Sequence, residues 1–140
     1  MANLEGVYWD FDGTIANTEL EGHLPAFNLA FKDFKLGWEW NTSYYIDLLK
    51  INGGKNRISY YSKIKNLFIS DELAKKIHER KQYHYLEIIK KNKLSLKPGV
   101  HRIITELKNK NVRQFIVTSS SKEQVYLLVK YLFRQSSPFE

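Results

Sequence analysis

A chain of 140 residues fits one domain, or one small domain carrying an insertion, and 43% hydrophobic content with 3 Trp, 9 Tyr and 8 Phe is enough to bury a core. There is no cysteine, which excludes a disulfide scaffold, a thiolate zinc site and a cysteine nucleophile. The net charge is +7, yet residues 1–19 hold four acids (Glu5, Asp10, Asp12, Glu19) and no Lys or Arg, a local spot that suits a divalent cation in a basic surround that suits an anionic ligand.

Residues 5–10 read as a strand. Leu20, Leu24, Phe27, Phe31 and Phe34 then recur at helical spacing, with Asn17 or Thr18 as the cap and Pro25 set to kink the helix or delay its start. "LGWEWN" (Leu36–Asn41) is a connector, and Asn41-Thr42-Ser43 caps a short helix through Lys50. The two glycines of "INGGKNR" (Ile51–Arg57) make a turn before a helix from about Asn56 to Ile64. Ser70-Asp71 caps a long helix to about Lys91. "KPGV" (Lys97–Val100) opens a helix with Val100, Ile103, Ile104 and Leu107 on one face, ended by Asn109 to Asn111. "VRQFIVT" (Val112–Thr118) reads as a buried parallel-type strand. "SKEQ" (Ser121–Gln124) is a capping box, and Val125, Leu128, Val129 and Leu132 form the buried stripe of the last helix.

The order is strand, a helical block over 18–93, helix, strand, helix. Two strands joined through a helix predict a right-handed βαβ unit. A crossover needs only about a dozen residues, so the helical block is an inserted domain. The predicted division is a Rossmann-like α/β core from 1–17 and 94–140 and an all-helical cap over 18–93. No apolar run approaches the roughly 18 residues of a membrane span, and no signal peptide is recognisable. A cytoplasmic chain with no membrane partner is expected.

In open α/β sheets, ligands bind at the carboxyl ends of the strands. Asp10 and Asp12 lie at that end of the first strand, two residues apart and on one side of it. Gly13 lets the chain turn away close to a ligand. Thr118 ends the second strand and is followed by Ser119, Ser120, Ser121 and a helix N-terminus, an anion site by its hydroxyls and backbone amides. A carboxylate pair on one strand and a phosphate cradle on the other describe phosphoryl transfer.

On these residues, "DFDGT" (Asp10–Thr14) resembles the first motif of the haloacid dehalogenase (HAD) superfamily, and "FIVTSS" (Phe115–Ser120) resembles its second. The insertion after the first motif is similar to the helical cap of the phosphoglucomutase-like branch. "TELEGH" (Thr18–His23), "LLKINGGKNR" (Leu48–Arg57) and "LKPGV" (Leu96–Val100) resemble CbbY-type sugar phosphatases. The resemblance implies that Asp10 is the nucleophile and Asp12 the general acid and base. It implies Mg²⁺ on an Asp10 oxygen and the Asp12 backbone carbonyl, with Thr118 and the Ser119 amide on the phosphoryl oxygens. Glu19, His23, Lys55 and Arg57 are the cap residues expected to grip a phosphorylated sugar, of which a pentulose bisphosphate such as xylulose 1,5-bisphosphate is favoured. Trp38 and Trp40 read as cap packing, and His78, His84 and His101 as structural or exposed.

The superfamily also uses a lysine and an acidic pair on later strands, and after Thr118 these 140 residues hold mostly one helix, whose Lys122 is a poor substitute, and no such acidic motif. "RQSSPFE" (Arg134–Glu140) reads as a loop about to enter another strand. The chain therefore reads as an N-terminal part of the fold, whether a natural truncation, a fragment or an engineered piece. Bare edges on both strands are expected, with self-association through them. Impaired catalysis in this chain is expected too. A non-catalytic remnant that binds metal, sugar phosphate or a partner protein is the alternative. A nucleic-acid binder is disfavoured, because no recognisable motif supports it.

Overall fold

A computed structural model describes residues 3–91, 93–134 and 136–140. The chain divides into two compact units, one formed by the residues up to Glu21 with Ile88–Glu140, the other by Gly22–Glu87.

The first unit is built on strand β1 (Gly6–Trp9) and strand β2 (Arg113–Ile116). They pair in parallel with Gly6 opposite Arg113 and Trp9 opposite Ile116, and among the described residues the sheet has these two strands. Helix α5 (Val100–Asn109) precedes β2 and helix α6 (Lys122–Phe133) follows it. Gln114 is buried and ties three elements together: its Nε2–H donates to the Ile104 carbonyl (3.1 Å), and its Oε1 accepts from the Trp9 indole N–H (3.1 Å). A buried amide so paired carries little desolvation penalty. The Ser121 hydroxyl accepts from the Gln124 N–H (3.3 Å) and caps α6.

Ile103 is 41% exposed while Ile104 is buried, because the buried face of α5 is narrower than its apolar pattern. Two expectations need correction here. Of the expected α6 stripe Leu128 is fully buried, whereas Val125, Val129 and Leu132 are half-buried. A groove of about 730 Å³, lined by Ile116, Val125, Val129, Phe133 and Phe139 among others, leaves that side of the helix incompletely covered. The outer edge of β2 is not wholly bare: the Glu140 N–H donates to the Gln114 carbonyl (2.9 Å), and Arg113 makes a two-point pair with the Glu140 carboxylate (Nη2 to Oε2, 2.7 Å).

The second unit holds helix α1 (Leu24–Asp33), helix α2 (Thr42–Leu48), helix α3 (Gly54–Ile64) and most of helix α4 (Asp71–Lys90). A π-helical turn, Glu19–His23, leads into α1. Pro25 sits in the first turn of α1. It has no N–H to return to the carbonyl four residues back, and the wider turn before it accommodates that loss. The Asn41 side chain accepts the Tyr44 N–H (2.8 Å) and starts α2; the Ser70 hydroxyl accepts the Leu73 N–H (3.1 Å) and starts α4. Gly53, at φ +87°, makes the turn that lets α3 begin at Gly54, two residues before the expected Asn56. The core is aromatic: Phe27, Phe31, Trp40 and Tyr45 are buried, with Trp40 4.8 Å from both Phe27 and Phe31 between ring centroids. Trp38 stands edge-on to Phe31 and Tyr61. Both tryptophans pack within this unit.

The chain enters and leaves the helical unit through paired backbone. Lys97 N–H donates to the Ile15 carbonyl (2.8 Å) and Asn17 N–H to the Ser95 carbonyl (3.0 Å). The Glu21 carboxylate accepts both the Ser95 N–H (2.9 Å) and the Ser95 hydroxyl (2.8 Å).

Candidate active site

Parallel pairing sets the site. The Val117 N–H donates to the Trp9 carbonyl (2.8 Å), carrying the ladder one residue past β2 and setting Asp10 and Thr118 at the same end of the sheet. Phe11 is fully buried and its carbonyl accepts from Thr14 (3.1 Å) and Ile15 (3.0 Å), which curls the chain back on itself. Gly13 takes φ +73° in this turn, a conformation that favours glycine.

Asp10 is exposed, and its Oδ2 accepts the Thr14 hydroxyl at 2.7 Å. Asp12 is half-buried. Its Oδ1 accepts the Thr18 hydroxyl and its Oδ2 the Ser120 hydroxyl, each at 2.6 Å. Thr118 is half-buried and Ser119 exposed in the turn after β2, where the Thr118 Oγ1 accepts the Ser120 N–H (3.1 Å). The two strand-end loops are thus joined directly through Ser120 and Asp12. The sequence reading takes Thr18 as a cap candidate and Ser120 as one of three serines, and does not pair either with Asp12. A hydroxyl at the start of the helix and one in a run of three serines were the available signals. Glu19 also belongs to this unit, with its Cγ 3.8 Å from where a Cβ on Gly13 would stand.

His23, Lys55 and Arg57 belong to the helical unit. His23 is buried, its Nδ1 is 2.8 Å from the Lys81 ammonium, and its ring stacks on Tyr85 at 3.9 Å. Lys81 is itself only 4% exposed and lies 4.9 Å above the Phe27 ring. The sequence reading missed it. Lys55 pairs with Asp71 (2.7 Å). Arg57 donates its Nε–H to the carbonyls of Leu48 (3.1 Å) and Ile51 (2.9 Å), which satisfies the end of α2 and fixes where its terminal N–H groups point. His78 is half-buried against Gly54, where a Cβ would come within 2.5 Å of its Nε2. His84 pairs with Asp33 (2.7 Å), and His101 is exposed.

Burial first, then the charges of Lys81, His23 and Arg57, push the His78 imidazole down from 6.5 to about 4. The unfolded chain therefore takes up a proton near pH 6.5 while the folded chain stays neutral there. Stability present above that value is lost as the pH falls from 6.5 towards 4. Urea midpoints measured across this window should fall for the parent and fall less for His78→Gln. Equal slopes would remove His78 as the cause.

Among the described residues no group of three or more His, Cys, Asp or Glu could hold a metal ion. Asp10 and the Asp12 carbonyl offer hard oxygen donors, and Mg²⁺ is commonly held by one or two carboxylates with waters and substrate phosphate. The donor type fits Mg²⁺, while the number of protein ligands is small.

The fold and these strand ends define a Rossmann-like α/β core interrupted after its first strand by a helical cap. Residues 7–136 match the haloacid dehalogenase-like hydrolase family. The chain belongs to that family. It is 34% identical over 130 residues to the protein CbbY of Rhodobacter capsulatus, covering 93% of this chain and 57% of the relative. It is 32% identical over 136 residues to the plasmid CbbY of Cupriavidus necator, covering 91% and 52%. Its backbone is similar to the crystal structure of CbbY from Rhodobacter sphaeroides in complex with phosphate, with TM-score 0.82, 28% identity and coverage of 96% of this chain and 60% of that one. A mutant of the same CbbY, solved in complex with xylulose-(1,5)bisphosphate, is similar at TM-score 0.82 and 27% identity, with the same coverage. The chain thus spans a little over half the length of these relatives. Among the described residues no helix is long and apolar enough to cross a membrane.

Proposed function

We propose that the protein is a phosphatase of a phosphorylated sugar, with a pentulose bisphosphate such as xylulose 1,5-bisphosphate the favoured substrate. The observation that carries this reading is the Ser120 to Asp12 hydrogen bond of 2.6 Å, which joins a carboxylate-bearing strand end to a hydroxyl-bearing strand end. The CbbY solved with xylulose-(1,5)bisphosphate supports the substrate class. In this reading an Asp10 oxygen attacks phosphorus and the ester oxygen leaves with a proton from Asp12. Water then attacks the aspartyl phosphate, Asp12 takes its proton, and inorganic phosphate is released. Thr118 and the Ser119 amide hold phosphoryl oxygens. Asp10 and the Asp12 carbonyl would hold Mg²⁺, which when bound offsets the repulsion between carboxylate and phosphate.

The helical cap, taken as 18–93, sets substrate choice through Glu19, His23, Lys55 and Arg57. The planar fork of Arg57 suits a second phosphate. In a longer, active version of the chain, Arg57→Ala should raise KM about tenfold or more for xylulose 1,5-bisphosphate and about twofold or less for p-nitrophenyl phosphate, with Mg²⁺ present in both assays. Equal effects on the two esters would remove Arg57 from the substrate site. No magnesium-dependent hydrolysis of either ester by the 140-residue chain would favour the second reading, a remnant that binds metal, sugar phosphate or a partner without turnover. The small number of metal ligands among the described residues is the observation on that side.

A further inference from the structure

We infer that Ser120, together with Thr18, is a positioning residue that sets the orientation of the Asp12 carboxylate; this rests on reading Asp12 as the acid and base of the site. Both Asp12 oxygens accept a hydroxyl, and the donors come from segments far apart in the chain. Thr18 is fully buried immediately before the π-helical turn Glu19–His23. Ser120 is half-buried between Thr118, whose Oγ1 accepts its N–H, and Ser121, whose hydroxyl caps α6. Neither donor is therefore a loose surface hydroxyl. An aspartate held at one oxygen can still turn about χ1 and χ2. One held at both oxygens, by groups anchored to different elements, has a single orientation. Proton transfer depends on a heavy-atom separation of about 2.6–3.2 Å to the reacting oxygen, so an orientation fixed in advance bears on the rate of the chemical step more than on substrate binding. Ser120 also touches Thr118, so the residue that aims Asp12 is tied to the hydroxyl proposed for the phosphoryl group. The proposed phosphate-binding hydroxyl and the proton donor are registered to one another through one residue, by its backbone N–H on one side and its hydroxyl on the other.

Crystal structures and kinetics of the full 140-residue chain test this together. Asp12 should occupy one rotamer in the parent and in Ser120→Thr. It should occupy a different rotamer, or two, in Ser120→Ala and in Thr18→Val, which removes a buried hydroxyl at nearly constant volume. With p-nitrophenyl phosphate and Mg²⁺, Ser120→Ala should lower kcat about tenfold with KM within about twofold, and Ser120→Thr should recover turnover to within about threefold of the parent. An unchanged Asp12 rotamer in Ser120→Ala would overturn the inference whatever the kinetics. So would a loss that appears in KM alone, or one that Thr does not recover. If the parent hydrolyses nothing, the rotamers alone decide the role of Ser120: a changed Asp12 rotamer in Ser120→Ala supports it and an unchanged one overturns it.

Discussion

Asp10→Asn should lower magnesium-dependent phosphate-ester hydrolysis by a factor on the order of 10⁴ or more, because an amide oxygen cannot form the aspartyl phosphate. The fold should be unaffected. Asp10 is exposed, and Asn is nearly the same shape and retains an oxygen to accept the Thr14 hydroxyl. The measurement is single-turnover hydrolysis with a matched thermal-unfolding curve. Most of the activity surviving in a correctly folded variant would show that the nucleophile lies elsewhere. Loss of activity together with loss of the folded baseline would point to a structural role instead.

Phe27→Ala should destabilise the helical unit by about 3–5 kcal/mol, the usual cost of emptying a large core position. Phe27 has no exposed surface, and its ring meets Trp40 at 4.8 Å, Tyr45 at 5.9 Å and Phe31 at 6.1 Å. It also lies under the buried Lys81 ammonium, so the variant removes packing and a cation–π contact at once. Against a typical total of about 5–15 kcal/mol, such a loss is a large fraction of all stability. A urea midpoint shift equivalent to less than about 1 kcal/mol would mean that the aromatic cluster collapses into the space.

Much of this architecture is legible in the sequence because it is carried by periodicity and by local caps. Asn41, Ser70 and Ser121 all accept the backbone N–H three residues on. What depends on distant neighbours is less legible. β2 stops at Ile116, two residues short of Thr118, although the apolar run continues. Lys55 and Arg57 follow a glycine turn and read as cations for a phosphorylated sugar; that one also meets Asp71 and the other carbonyls at the end of α2 is not legible. Those partners lie on other elements and leave no mark at the cations themselves. Lys81 did leave a mark. Ala74, Ile77, Lys81, Tyr85 and Ile88 are all buried and follow helical spacing, so the lysine occupies an apolar stripe. Its neighbours Lys75, Lys76 and Arg80 make it look solvated. At the candidate site the two carboxylates and Thr118 are recognisable by their motifs, whereas Ser119, Ser120 and Ser121 are equivalent as text. Only the turn after β2 singles out Ser120 as the one whose hydroxyl meets Asp12.

The stitched entrance and exit of the helical unit bear on the order in which the chain folds. β1 and β2 are neighbours in space but lie on either side of residues 22–87, so their pairing is a contact of high sequence separation. Closing a flexible segment of that size costs roughly 4 kcal/mol in chain entropy beyond the constant term, and it must be met before the parallel ladder returns anything. The helical unit is one uninterrupted stretch of sequence, so none of its own contacts has to span the crossover. Once it has formed, the pairs Ile15 with Lys97 and Asn17 with Ser95 hold the chain together on either side of it, and the effective loop between the strands shrinks to residues 10–14 and 98–112. An insertion that folds first would thereby bring together the strand pair that surrounds it, with the Asp10 strand end completed last.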